Sequence, residues 1–168
     1  KPGALLKIDN KFGDVVCSNW DKMAIEIDVT ITVHSSSQEK ANKVFDKITV
    51  AISGNGSRVE GVTTIQEMKG NNKFSIDYTI KMPSDIKVDL SNKYGMLLFE
   101  EVDRSAKIEL KYGDLVAGYL NSSENEVWVK YGGAEIEYIN QGKVDVKYAD
   151  LEIDRAKILE IESKYNDV

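Results

Sequence analysis

Ile108-Glu109-Leu110-Lys111-Tyr112-Gly113-Asp114-Leu115 is the stretch on which the fold turns. Ile108 and Leu110 alternate with Glu109 and Lys111, the period-two pattern of a strand with one buried face. Gly113-Asp114 breaks the alternation with residues that tolerate the left-handed backbone of a sharp corner, and Leu115 and Ala117 then resume it. The phrase recurs as Asn92-Lys93-Tyr94-Gly95, Val129-Lys130-Tyr131-Gly132, Val146-Lys147-Tyr148-Ala149 and Ser163-Lys164-Tyr165-Asn166, with tyrosine spacings of 18, 19, 17 and 17. Asn10-Lys11-Phe12-Gly13-Asp14 is a further copy near the start, with Phe in place of Tyr.

Alignment on the aromatic shows a core position four residues earlier: Ile8, Leu90, Ile108, Val127, Val144 and Ile161 are all apolar. Three residues after it stand Val15, Leu97, Leu115, Ala134, Leu151 and Val168. Two short strands around one corner are too small to bury their own apolar face, so copies must stack on one another. The expectation is a mainly all-β chain, a parallel β-solenoid or β-helix of 17–19-residue rungs, favoured over a sandwich of hairpins. It reads as a single domain, 1–168: a first rung at 1–18, an inserted strand-helix-strand cap at 19–85, and further rungs at 86–168. Within the insertion, Met23 through Val33 alternate as a long strand. Ser36-Ser37-Gln38-Glu39 has capping-box spacing before the helical face Ala41, Val44, Phe45 and Ile48. Val50 and Ile52 lead into the turn Gly54-Asn55-Gly56-Ser57. Val59 through Gln66 and Phe74 through Met82 are strands, the latter stopped by Pro83. The helix is expected to protect an open edge or end of the sheet.

The charge of the 168-residue chain narrows its partners. Its net charge is -6; residues up to Asp85 hold 11 acidic and 11 basic side chains, and those from Ile86 onward 17 and 11. An acidic repeat without a basic cluster lacks the attraction that dominates nucleic-acid binding, and anionic lipid would repel it. No apolar run is long enough to span a membrane. The start, Lys1-Pro2-Gly3-Ala4, has no apolar signal core, as expected if an export signal has been removed. Cys17 has no partner for an internal disulfide and falls at an apolar position.

The order of parts, a Gly13-Asp14 turn, a long strand, a helix, the Asp77-Tyr78-Thr79-Ile80-Lys81-Met82-Pro83 strand and then Gly-Asp rungs, resembles the bacterial putative-adhesin family of β-solenoid domains of unknown function. The resemblance runs the whole length. Gly113-Asp114 matches its corner, while Gly95-Met96, Gly132-Gly133, Ala149-Asp150 and Asn166-Asp167 depart from it at the turn. It implies a right-handed β-solenoid in an exported protein of the periplasm, outer membrane or cell surface, and says little about activity.

The column Tyr94, Tyr112, Tyr131, Tyr148 and Tyr165 has two readings. Stacking from rung to rung stabilises the fold without any ligand; an exposed row instead offers ring faces to a glycan. Lys93, Lys111, Lys130, Lys147 and Lys164 form a charged edge beside it, where neighbouring ammonium groups would repel by roughly 0.8 kcal/mol at ~5 Å in water. Asp14, Asp114, Asp150 and Asp167 are the expected counter-charges, and a partner bearing carboxylates or sulfates is the functional alternative. Glu135, Glu137, Glu152 and Asp154 share a solvent face, a set that serves a Ca²⁺ ion or the paired carboxylates of a polysaccharide-active enzyme. No arginine, histidine or asparagine joins them to shape a pocket, and a solvated face is the plainer reading. His34 is the only histidine and ends the long strand.

These features lead to a non-enzymatic envelope or surface domain, without cofactor, that binds a glycan or an envelope or host protein. A polysaccharide-active enzyme and a self-assembling structural module are the alternatives. Val168 falls before its second strand is complete, so either more chain follows or an exposed rung awaits an end-to-end partner.

Overall fold

The computed structural model describes residues 2–165; the expectations placed on Asn166, Asp167 and Val168 lie outside them. Alternation becomes strand except at Met23, Ala24 and Ile25, which the long strand was expected to include and which precede it: β1 (Leu5–Lys11), β2 (Val15–Asn19), β3 (Glu26–His34), β4 (Ile48–Asn55), β5 (Arg58–Ile65), β6 (Lys73–Met82), β7 (Lys87–Lys93), β8 (Leu97–Val102), β9 (Ala106–Lys111), β10 (Asp114–Leu120) and β11 (Asn125–Lys164), with one helix, α1 (Gln38–Phe45), between β3 and β4. All eleven strands join one curled sheet in the order β3-β6-β2-β8-β10-β11-β9-β7-β1-β5-β4.

Two parallel ladders form the middle of this sheet. Strands before the corner pair as β5-β1-β7-β9-β11, with Ile8 opposite both Gly61 and Leu90, and Ile108 opposite both Leu90 and Val127. Strands after it pair as β6-β2-β8-β10-β11, with Leu97 opposite both Val15 and Leu115, and Leu115 opposite Ala134. Equivalent residues of successive copies therefore meet, and the aligned apolar positions Ile8, Leu90, Ile108, Val127 and Val144 are almost wholly withdrawn from solvent. Ile161, expected at the same core position, is instead 44% exposed, because among the described residues no further copy stacks beyond it. A one-residue slip in either ladder would turn this face outward, so burial fixes the register.

The uniformly parallel sheet expected from the repeat needs correction, because the sheet is mixed. β4 runs antiparallel to β5, and β3 antiparallel to β6, closing both edges. The inserted segment is also not a lid laid over one end: β5 and β6 extend the two ladders in parallel before their antiparallel partners are added. The β4–β5 hairpin reverses at Asn55, whose Oδ1 accepts from the backbone N–H groups of Ser57 and Arg58. α1 starts one residue later than the capping box suggested, with Ser37 as its N-cap accepting from the Lys40 N–H. Glu39 reaches Lys43 at 2.7 Å, and the helix stops at Phe45, leaving Ile48 to open β4.

A second corner, opposite the aromatics, is stitched by polar side chains that the repeat alignment had not singled out. Asn125 is buried; its Nδ2 donates to the carbonyls of Ser122 (2.7 Å) and Gln141 (2.8 Å), and its Oδ1 accepts from the Ala106 N–H (3.3 Å). It thus ties its own turn to the strands on either side. Asn140 Nδ2 donates to the Asn121 carbonyl, and Asn121 Nδ2 donates to Glu101 and Asp103. Asp103, Asn121 and Asn140 each lie nine residues after an aromatic, a spacing visible in the sequence. Removing the Asn125 amide strands several buried backbone groups, so Asn125→Ala is expected to cost about 3 kcal/mol in urea unfolding. A loss below ~1 kcal/mol would show that water replaces the clip.

Candidate functional site

The aromatic corner depends on an unusual backbone. Phe12, Tyr94, Tyr112, Tyr131, Tyr148 and Tyr165 all have positive φ, between 52° and 63°. An L-residue pays roughly 1 to 2 kcal/mol for that conformation, and a bulky one is a rare occupant. The left-handed residue is the aromatic, not the glycine after it, which corrects the corner chemistry read from the sequence.

The glycine has a different duty. A Cβ on Gly95 would lie 2.0 Å from the Gly13 carbonyl oxygen, one on Gly113 2.0 Å from that of Gly95, and one on Gly132 1.9 Å from that of Gly113. At these three glycines the backbones approach too closely for a side chain. Ala149 occupies the fifth position, and there the ring centroids, Tyr131 to Tyr148, stand 5.3 Å apart, against 4.8 Å for the pairs on either side.

Left-handed backbone turns each ring outward, where it stacks on the next. Centroid spacings from Phe12 through Tyr165 run from 4.8 to 5.3 Å with interplanar angles of 5° to 17°. Phe74, tilted at 59°, abuts Phe12 and ends the row. Exposure rises from 39% at Phe12 to 51% at Tyr148, so the column is a surface feature with its inner sides against the chain. This geometry decides what the row presents. Tyr94, Tyr112, Tyr131 and Tyr148 have a neighbour on both faces, so ring edges and hydroxyls face outward and the open faces that sugar stacking requires are taken. Among the described residues none of these four hydroxyls has a hydrogen-bond partner, leaving a row of donors and acceptors at ladder spacing.

The lysine edge follows the row, but its counter-charges differ from those expected. Lys111 lies 4.0 Å from Glu109, Lys147 3.1 Å from Asp145 and Lys164 3.1 Å from Glu162, each two places earlier on its own strand; Glu109 and Glu162 face outward, whereas Asp145 is buried. Lys93 Nζ sits 4.8 Å over the Tyr94 ring and 5.9 Å from that of Tyr112. Lys130 lines a hollow of about 240 Å³ with Trp128, Lys111 and Glu109; Lys107 lies over the Trp128 ring. The corner aspartates act on backbone instead. Asp77 Oδ1 accepts from the Asp14 N–H at 2.9 Å, and Asp14 Oδ1 from the Met96 N–H at 2.7 Å. The Asp114 carboxylate lies against Gly133 of the next copy, and Asp167 is outside the described residues.

Under the first corner, Asn10 and Asn92 replace the apolar residue found as Leu110, Val129 and Val146 in later copies. Asn92 Nδ2 donates to the Gly13 and Met96 carbonyls. Asn10 donates to the Ile76 carbonyl and accepts from Thr63, whose hydroxyl also meets Tyr78. This buried network joins the inserted strands to the repeat.

The acidic set is only partly brought together. Glu135, Glu137 and Asp154 border a hollow of about 560 Å³, and Glu152 with Glu135 a neighbouring one. Glu137 accepts from the Tyr119 hydroxyl and from Arg155 Nη2 at 3.4 Å. That hydrogen bond holds Tyr119 above the usual phenol range, and Arg155 lies over the Tyr119 and Tyr138 rings. An arginine therefore does join the cluster, and Asn19 lines the same hollow, both contrary to the sequence reading. No three metal-ligating side chains are grouped to hold an ion among the described residues. Cys17 is fully buried, which pushes its thiol up to about 12 and keeps it protonated at neutral pH. No described helix is long and apolar enough to cross a membrane.

No protein-family model matches the chain, and no curated protein matches it. Among solved structures it is similar to the crystal structure of a putative cell adhesion protein from Clostridium sporogenes ATCC 15579. That similarity is at 10% identity and a TM-score of 0.41, and covers 99% of this chain and 94% of the other.

Proposed function

We propose that this chain is a non-enzymatic domain of the bacterial cell envelope or surface, a right-handed β-solenoid of the putative-adhesin type that binds a glycan or a protein partner through its repeated corner. The solenoid reading is supported by the two parallel ladders, in which each copy contributes one strand before and one after the same corner. Right-handed winding follows the hand of nearly all parallel crossovers. The observation that carries the binding role is the outward row of stacked tyrosines whose hydroxyls have no hydrogen-bond partner among the described residues. Such a row is already ordered, so a ligand that hydrogen-bonds along it meets little entropic cost on the protein side.

Because the faces are stacked, the hydroxyls are the contact. Tyr112→Phe combined with Tyr131→Phe keeps the column and deletes two of them. On a glycan array, and with extracts of envelope protein, this variant is expected to bind its ligand about tenfold more weakly than the parent, with unchanged thermal stability. Equal binding by both proteins would remove the tyrosine row from the contact. Turnover of a polysaccharide, abolished by Glu137→Gln, would replace the reading with an enzymatic one.

A further inference from the structure

The overall charge of -6 conceals a local reversal. Lys40 and Lys43 on α1, Lys47 just beyond it, and Lys69 in the β5–β6 loop line a groove of about 630 Å³ in which Glu67 is the only carboxylate. Counter-charges are sparse. Lys43 is held by Glu39, but Lys40 Nζ donates to Ser36 Oγ at 3.3 Å and Lys47 Nζ to Gln66 Oε1 at 3.2 Å, both neutral acceptors. Among the described residues Lys40, Lys47 and Lys69 have no carboxylate within 4.0 Å. The floor is apolar, from Val44 and Met68.

This groove opens into a second hollow of about 530 Å³, with His34, Met68, Asn71 and Asn72 shared between them, and the second reaches Phe12 and Phe74. A continuous track therefore runs from the lysines to the end of the aromatic row. The volume is that of a small-ligand site, and the lining combines cations, amides, hydroxyls and an apolar floor. We propose that it binds an acidic saccharide, its carboxylates or sulfates on Lys40, Lys47 and Lys69 and an apolar sugar face over Met68 and Phe74. The inference rests on the glycan-binding reading of the aromatic corner and adds to it the ligand's charge and the place where it is gripped. A second copy of the chain is a poorer occupant, because its carboxylates Glu135, Glu137, Glu152 and Asp154 stand along extended strands and not on a projection that could enter a concavity.

Calorimetric titration of the intact protein tests this with three probes: tetragalacturonate for carboxylates, a chondroitin sulfate tetrasaccharide for sulfates, and maltotetraose as the neutral control. One or both acidic probes are expected to bind and maltotetraose not to, with affinity falling about tenfold in Lys40→Gln/Lys69→Gln and falling again at high salt. Both side chains are at the surface, so folding is retained, which thermal unfolding checks. Failure of both acidic probes to bind, or equal affinity in the lysine variant, overturns the assignment. Loss confined to Tyr112→Phe/Tyr131→Phe leaves the aromatic corner as the site and removes the groove; loss confined to the lysine variant does the reverse. A salt-sensitive dimer in sedimentation that Lys40→Gln/Lys69→Gln abolishes, without saccharide binding, assigns the groove to a second copy and overturns the proposal.

Discussion

Gly113→Ala is expected to destabilise the protein by about 3 kcal/mol, at the upper end of what one added methyl costs a packed structure. Its Cβ would lie 2.0 Å from the Gly95 carbonyl oxygen, and that neighbour is backbone in the short corner fixed between β7 and β8, with no side chain able to rotate away. Ala149 keeps the estimate from being larger: the corner accepts one methyl naturally, with wider ring spacing at that step. Gly133→Ala is the matched control. Its Cβ would come within 3.2 Å of Asp114 Oδ1, the end of a side chain that can shift, so a loss below ~1 kcal/mol is expected. Urea unfolding of both variants checks the pair. Similar losses would mean that any added methyl in this region costs the same, whatever it faces.

Tyr112 gives the second large effect, and its size depends on what replaces it. Tyr112→Ala removes both ring contacts in the middle of the column, worth about 0.5 to 1.5 kcal/mol each beyond buried area, and keeps a Cβ at φ 58°. A total near 3 kcal/mol is expected. Tyr112→Gly loses the same contacts but relaxes the left-handed backbone, so it should be the milder change by about 1 kcal/mol. Inside an ordinary strand the order is reversed, because glycine weakens strands more than alanine does. Chemical unfolding that ranks glycine below alanine would remove the argument that stacking offsets backbone strain here.

Local alternation and the recurring tyrosine made much of this architecture readable. The β7, β9 and β10 strands, the register of Ile8 with Leu90 and Ile108, and the strands around the helix all follow from patterns contained within one segment. The mixed sheet did not, because the turn after β4 makes β4 and β5 antiparallel to each other but leaves open that β5 joins β1 in parallel. The role of Gly113 was hidden for a related reason. A glycine beside a corner suggests backbone freedom, whereas its need arises from a carbonyl eighteen residues away in sequence, that of Gly95. Whether the tyrosines point in or out was unreadable because the left-handed residue resets the alternation at each turn. The lysine groove was masked by arithmetic: the first half balances to zero, and only the fold separates Lys40, Lys47 and Lys69 from the acids that cancel them.

The stitched corners carry a further implication, for how such a chain changes over generations. Each copy brings its own aromatic, its own close-approach position and, opposite, its own polar clip, and touches mainly the copies beside it. An in-frame duplication or loss of one such unit preserves every neighbour relation except at the splice. Length is therefore an inheritable quantity that moves in whole steps, and a lineage can lengthen the column without redesigning either edge of the sheet.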